Sequence, residues 1–238
     1  MKKTNMKRQE ILSKAKSILK EIYLEYKDKG VVSIYIWGSI LTSDFNPKKS
    51  DIDTVAIVKD NFNIDFVEEI NKKLSEEKSG LHGLKLNNIF LGEFNGGKIR
   101  SKLAKVIHPH LLLLDFNNWK FVCGKKFMRK DFLIKGWSEK EALKHRINEF
   151  YGEDLPRVEK EDYSGIKYLC KNLLRVCHHL NQLNGKKSVF NYDTLMKNSN
   201  KKDKRLVELL LKIRKSDWDE NLFRENLVKL KELVSELK

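Results

Sequence analysis

Cysteine, proline and long apolar runs are all scarce in this chain. Its 238 residues include only 3 Cys, 3 Pro and 12 Gly. The cysteines (Cys123, Cys170, Cys177) form no Cys-x-x-Cys pair and are odd in number. That argues against a disulfide scaffold and fits a reduced, cytoplasmic setting. So little Pro and Gly excludes collagen-like and low-complexity chains. The apolar run Leu111–Leu114 is closed by Asp115, far short of the roughly 20 residues a membrane helix needs. Met1-Lys2-Lys3 is followed by no apolar stretch, so neither a secretory signal nor a membrane role is expected.

What is present is a globular composition, 40% hydrophobic and 34% charged, long enough to bury a real core. Lys+Arg outnumber Asp+Glu by 48 to 33. That balance favours anionic partners such as nucleotides or nucleic acid, although a lysine-rich surface also serves solubility alone.

Steps of three and four through Ile11, Ala15, Ile18, Leu19, Ile22 and Tyr26 predict a helix over 6–28. Residues 31–37 and 51–58 are rich in β-branched residues and predict two buried strands. A helix over 64–78, a third strand over 84–94, a helix near 98–106 and a short strand over 119–123 follow. After about residue 136 the pattern becomes helical only. Ser138 is placed to cap one helix, and further helices are expected over 163–183, 203–214 and 219–237. The reading is α/β (α+β): a small mixed-sheet core over 1–135 followed by an all-helical bundle over 136–238.

Chemistry concentrates between the first two strands. Gly38-Ser39 closes one strand, and Asp51-Ile52-Asp53 opens the next. Residues two apart on a strand share a face, so both carboxylates point the same way while Ile52 turns into the core. Two like charges on one face repel, and a divalent cation relieves that repulsion; hard oxygen ligands suit Mg²⁺. A glycine at the strand end lets backbone approach a ligand closely, and the Ser39 hydroxyl is placed to meet a phosphate.

Gly-Ser, a spacer and Asp-x-Asp across strand–loop–strand resembles the nucleotidyltransferase superfamily that includes DNA polymerase β. The order of a helix, a minimal core and a helical C-terminal part is similar to the antibiotic (aminoglycoside) nucleotidyltransferases, as is the segment 173–188. The resemblance implies two Mg²⁺ ions on Asp51 and Asp53 and an NTP, by resemblance ATP, gripped by Gly38 and Ser39. A nucleoside monophosphate would pass to an acceptor hydroxyl, with a small molecule of the aminoglycoside type as the leading acceptor. A third carboxylate is expected from the next core strand, where Lys85, Asn87 and Asn88 stand instead. Glu93, sharing strand parity with Lys85, is the catalytic candidate there. The acid-rich run 149–162 offers alternatives and would suit a cationic acceptor.

Other signals are weaker. Gly92–Ile99 lacks the hydroxyl that a P-loop requires. The adjacent His178 and His179 diverge on a helix and cannot both join Cys170 and Cys177 at a metal. Trp37 either walls the nucleotide site or packs under the sheet. Two alternatives stay open: transfer to tRNA or protein, as in toxin-like relatives, and a non-catalytic nucleotide or nucleic-acid binding module.

Overall fold

The computed structural model describes residues 7–160, 162–186 and 189–236. The chain divides into two compact units, Met1–Gly136 and Trp137–Lys238.

In the first unit, Ile11, Ala15, Leu19, Ile22 and Tyr26 all lie buried along α1 (Arg8–Tyr26). Gly30, at φ +113°, turns the chain into β1 (Val31–Ile36). β2 (Ile52–Val58), β3 (Leu84–Phe90) and β4 (Lys120–Gly124) complete a sheet of order β3-β2-β1-β4. β1 pairs antiparallel with β2 and β4, whereas β2 and β3 run parallel. A parallel pair needs a crossover connection, which α2 (Asp65–Leu74) and α3 (Glu76–Ser79) provide. The single helix expected over 64–78 breaks at Ser75, whose ψ of 151° is not helical.

α2 also protects the sheet edge. Asn71 donates its amide to the Leu86 carbonyl at 3.0 Å and accepts from the Leu86 N–H at 2.8 Å. One side chain thus satisfies both free backbone groups of an edge-strand residue.

The sheet separates two apolar layers. Ile34, Ile36, Ile52, Ala56, Val58, Leu84, Leu86 and Phe90 face α1 and α2. Tyr35, Val55, Ile57 and Ile89 face the other way, toward Phe94, α4 (Lys102–Val106) and α5 (Pro109–Asp115). Fully burying each such aliphatic side chain contributes about 1.5–3 kcal/mol, so the strand faces are strongly specified.

Among its described residues the second unit consists of helices and connecting loops, with no strand. Ser138 caps α6 (Glu139–Glu149), its Oγ accepting from the Glu141 N–H at 3.3 Å. A π-helical turn over Phe150–Asp154 leads into α7 (Leu155–Glu159). Pro156 lacks an N–H and crowds the carbonyl four residues back, a common reason for a helix to widen. α8 (Ile166–Leu183) runs through the core, with α9 (Tyr192–Asn198), α10 (Lys201–Lys215) and α11 (Glu220–Ser235) completing the bundle. The sequence pattern did not reveal α9, which is short and buries only Leu195.

Asp154 is buried between α6 and α8, and Asn172 donates to it at 3.1 Å. Burial pushes its carboxyl above the ordinary range, the Asn172 bond partly opposes this, and Glu149 and Glu153 add to the rise. A raised native pKa stabilises the fold at low pH, and that contribution is lost as pH rises through the raised value. Asp154→Asn should therefore raise the melting temperature at pH 7 by roughly 2–4 °C. The gain should shrink to nothing near about pH 4. Thermal melts of both proteins across that range check this.

Candidate active site

The candidate site lies at the end of the sheet where β1 stops and β2 begins. Asp53 pairs in register with Lys85, one step beyond the Val55–Asn87 pair. Ile57 and Ile89, in the same phase, lie together in the second apolar layer. Strand alternation therefore brings Asp53 and Lys85 to that same face. The Trp37 N–H donates to the Asp53 carbonyl at 3.0 Å, which continues the β1–β2 pairing and sets Trp37 on the other flank. Asp51, one residue before β2, is exposed, and Asp53 is partly exposed.

Two glycines form a close cradle for this pair. At Gly38, with φ +77°, an added Cβ would come within 2.5 Å of Asp53 Oδ2. At Gly83, with φ +64°, it would come within 2.5 Å of Asp51 Oδ1 and 2.8 Å of Asp51 Cα. Only glycine meets both demands, the left-handed backbone and the missing side chain. Gly38 was already a candidate. Gly83 was not, and its signal was local: a glycine directly before a strand, in register with the residues leading into β2. Its carbonyl also accepts the Ile52 N–H at 3.0 Å.

Ser39 stands in a 3-10 turn, Gly38–Leu41, anchored by the buried Ile40. The Thr42 N–H and hydroxyl close the turn on the Ser39 carbonyl at 2.9 and 3.1 Å. The loop before Asp51 is held by Asn46 and Ser50. The Asn46 N–H donates to Ser50 Oγ at 2.9 Å, and Asn46 Oδ1 accepts from the Lys48 N–H at 3.0 Å. Capping this turn is therefore the work of Asn46 and Ser50.

Trp37 is packed as well as adjacent to the site. Its ring lies 5.6 Å from that of Trp119, and both belong to the second apolar layer. The indole N–H of each is buried with no hydrogen-bond partner among the described residues.

Glu93 is not brought to the aspartates. β3 ends at Phe90, and Leu91–Asn95 forms a 3-10 turn, so the strand parity assumed for Glu93 does not apply. From Lys85, level with Asp53, five residues of strand carry the chain about 16 Å to Phe90. Glu93 lies beyond that, 2% exposed. Its carboxylate accepts from the N–H groups of Phe90, Arg100 and Ser101 and from Ser101 Oγ, at 2.6–2.8 Å. It ties a turn to the start of α4, and the catalytic role expected for it lacks a geometric basis.

Three acids of the run in the second unit are paired with cations. Glu149 takes Arg146 and Tyr168, Asp162 takes Arg157 and Ser164, and Glu159 takes Lys231. Glu161, and Lys187 and Ser188 of the 173–188 segment, lie outside the described residues. At the P-loop-like turn, the Gly97 N–H closes on the Gly92 carbonyl, and Asp60 Oδ1 takes the Gly92 N–H at 3.0 Å. A carboxylate thus sits at the backbone that a phosphate would need. Cys170 and Cys177 are fully buried, which pushes both thiols up, Cys170 to about 12. His179 meets Glu139 at 2.6 Å.

The donor set bears on a metal. Two carboxylates at a partly open sheet end, held by glycine cradles, fit Mg²⁺ completing its shell with water and phosphate oxygens. Among the described residues, no three His, Cys, Asp or Glu side chains gather as a fuller protein cage. Nor, among them, is any helix long and apolar enough to cross a membrane.

Residues 12–111, running from α1 into α5, match the family model for a nucleotidyltransferase domain. The strand–turn–strand described above lies within the matched residues. Among solved structures, the chain is similar to the spectinomycin adenyltransferase AAD(9) from Enterococcus faecialis, determined with ATP and spectinomycin. The TM-score is 0.58 at 14% sequence identity, covering 94% of this chain and 98% of that one. At this identity the likeness is one of fold. No curated protein sequence matches the chain.

Gly38→Ala and Gly83→Ala should each displace one aspartate, and a shift of about 1 Å at such a site can cost roughly a hundredfold in activity. Turnover within threefold of wild type, with the fold intact by circular dichroism, would remove the cradles from the site. Glu93→Gln should act oppositely. Its amide would face backbone donors and cost about 2 kcal/mol, lowering the melting temperature by roughly 5 °C while kcat/KM stays within threefold.

Proposed function

We propose that the chain is a metal-dependent adenylyltransferase that transfers AMP from ATP to a hydroxyl of a small acceptor of the aminoglycoside class. The observation that carries this reading is the Asp51–Asp53 pair, seated on Gly38 and Gly83 at the open sheet end of a nucleotidyltransferase domain. The nucleotide choice and acceptor class are supported by the likeness to an adenyltransferase determined with ATP and spectinomycin.

In this reading Gly38 and Ser39 receive the triphosphate where the backbone is bare of side chain, and Ile40 and Thr42 keep that turn in place. Asp51 and Asp53 would hold Mg²⁺, which when bound neutralises phosphate charge during the displacement. The acceptor hydroxyl oxygen attacks the α-phosphorus in line and gives up its proton to solvent, the bond to the α–β bridging oxygen breaks, and pyrophosphate leaves. Trp37, packed on Trp119, keeps one flank of the pair rigid. Catalysis then rests on positioning and charge.

The test is pyrophosphate release from ATP, GTP, CTP and UTP with Mg²⁺, against spectinomycin, an aminoglycoside panel and bulk tRNA. ATP-dependent release with one small acceptor is expected, with Asp51→Ala and Asp53→Ala each losing more than roughly a hundredfold. Release only with tRNA, steeply weakened by salt, would replace the small acceptor with nucleic acid. Unchanged turnover in either aspartate variant would overturn the mechanism.

A further inference from the structure

The residue level with Asp53 on the neighbouring strand is a lysine. β2 and β3 run parallel with Asp53 opposite Lys85, and neighbouring strands lie about 4.8 Å apart. The phase of this face is fixed independently, because Ile57 and Ile89, further along the same two strands, both lie in the second apolar layer. Lys85 is exposed, while its chain neighbours Leu84 and Leu86 are buried in the opposite layer. Lys85 therefore projects on the carboxylate face and to its open side. One residue further, Asn87 donates its amide to the Thr54 carbonyl at 3.4 Å, so the next position on that face is neutral and engaged with backbone.

Two consequences follow from charge and reach. From this position the Lys85 ammonium can reach toward Asp53, where it would repel a second divalent cation, and the described residues supply no third carboxylate there to offset that repulsion. A lysine on a flexible stem is also a strong point-charge partner for a phosphate oxygen. Across the sheet end, the order is the Gly38–Ser39 turn after β1, the aspartates on β2 and Lys85 on β3. A triphosphate lying over the pair meets donors on both sides.

We propose that Lys85 is a phosphate-contacting residue of this site, and that Asp51 and Asp53 hold one divalent ion beside it in place of two. The proposal rests on the reading that a nucleoside triphosphate occupies this face, but its test needs neither acceptor nor turnover. The probes are Mn²⁺, counted by electron paramagnetic resonance, and α,β-methylene-ATP, whose α–β linkage does not transfer. Wild type should bind one Mn²⁺ per chain in the presence of the analogue. Lys85→Met should weaken the analogue by roughly tenfold or more, the loss expected for a charged hydrogen bond, and Lys85→Arg should recover most of it. Lys85→Glu should admit a second Mn²⁺. All three variants should stay folded by circular dichroism, because Lys85 is exposed.

Two Mn²⁺ per wild-type chain, analogue affinity of Lys85→Met within twofold of wild type, or no analogue binding at all would each overturn the proposal. Lys85-dependent analogue binding with no pyrophosphate release on any acceptor would instead overturn the transferase reading and leave this one standing.

Discussion

Two like charges are held side by side at the open end of the sheet, and the local backbone is shaped around them. Asp51 and Asp53 cannot relax apart, because Ile52 between them is locked into the apolar layer under α1 and α2. They cannot retreat either, because Gly38 and Gly83 leave no room behind them. Such a placement costs stability unless positive charge lies near it, and Lys85, level with Asp53 on β3, is in register to contribute it. The rest of the first unit serves this arrangement. The sheet fixes the strand phases, α2 seals the β3 edge, and the packed Trp37–Trp119 pair stiffens one flank.

Much of this was legible in the sequence, for identifiable reasons. Period-2 alternation over 31–37 and 51–58 indicated which strand side chains share a face, and β2 carries that alternation from Ile52 to Val58. Gly38-Ser39 was legible because a glycine at a strand end has few other uses. Helical periodicity likewise placed α1, α6 and α8, and the change to purely helical patterning marked the second unit.

What escaped depended on contacts distant in sequence. Glu93 continued the alternation of β3 on paper, but its own carboxylate ends the strand by accepting the Phe90 N–H and then gathering Arg100 and Ser101. A side chain that folds back on its own backbone is invisible to periodicity. Gly83 escaped because its importance lies in Asp51, more than thirty residues away. The acid-rich run 149–162 suggested an exposed anionic surface by composition, yet Arg146, Arg157 and Lys231 pair with Glu149, Asp162 and Glu159, and Asp154 is buried. Lys85 is the reverse case: the residue was in plain view as the absence of an acid, and the register of β2 against β3 turns that absence into a positive charge with a location.

The indoles of Trp37 and Trp119 have a bearing on how this molecule can be watched. Their rings lie 5.6 Å apart at 48°, close enough for their electronic transitions to couple, and one of them directly precedes Gly38. Both N–H groups are buried without partners among the described residues, so their emission reports on the packing around them. This packed tryptophan pair is thus a native optical probe. Its near-ultraviolet dichroism and emission register the order of the strand-end backbone without any label, separately from the helical signal that dominates the far-ultraviolet spectrum.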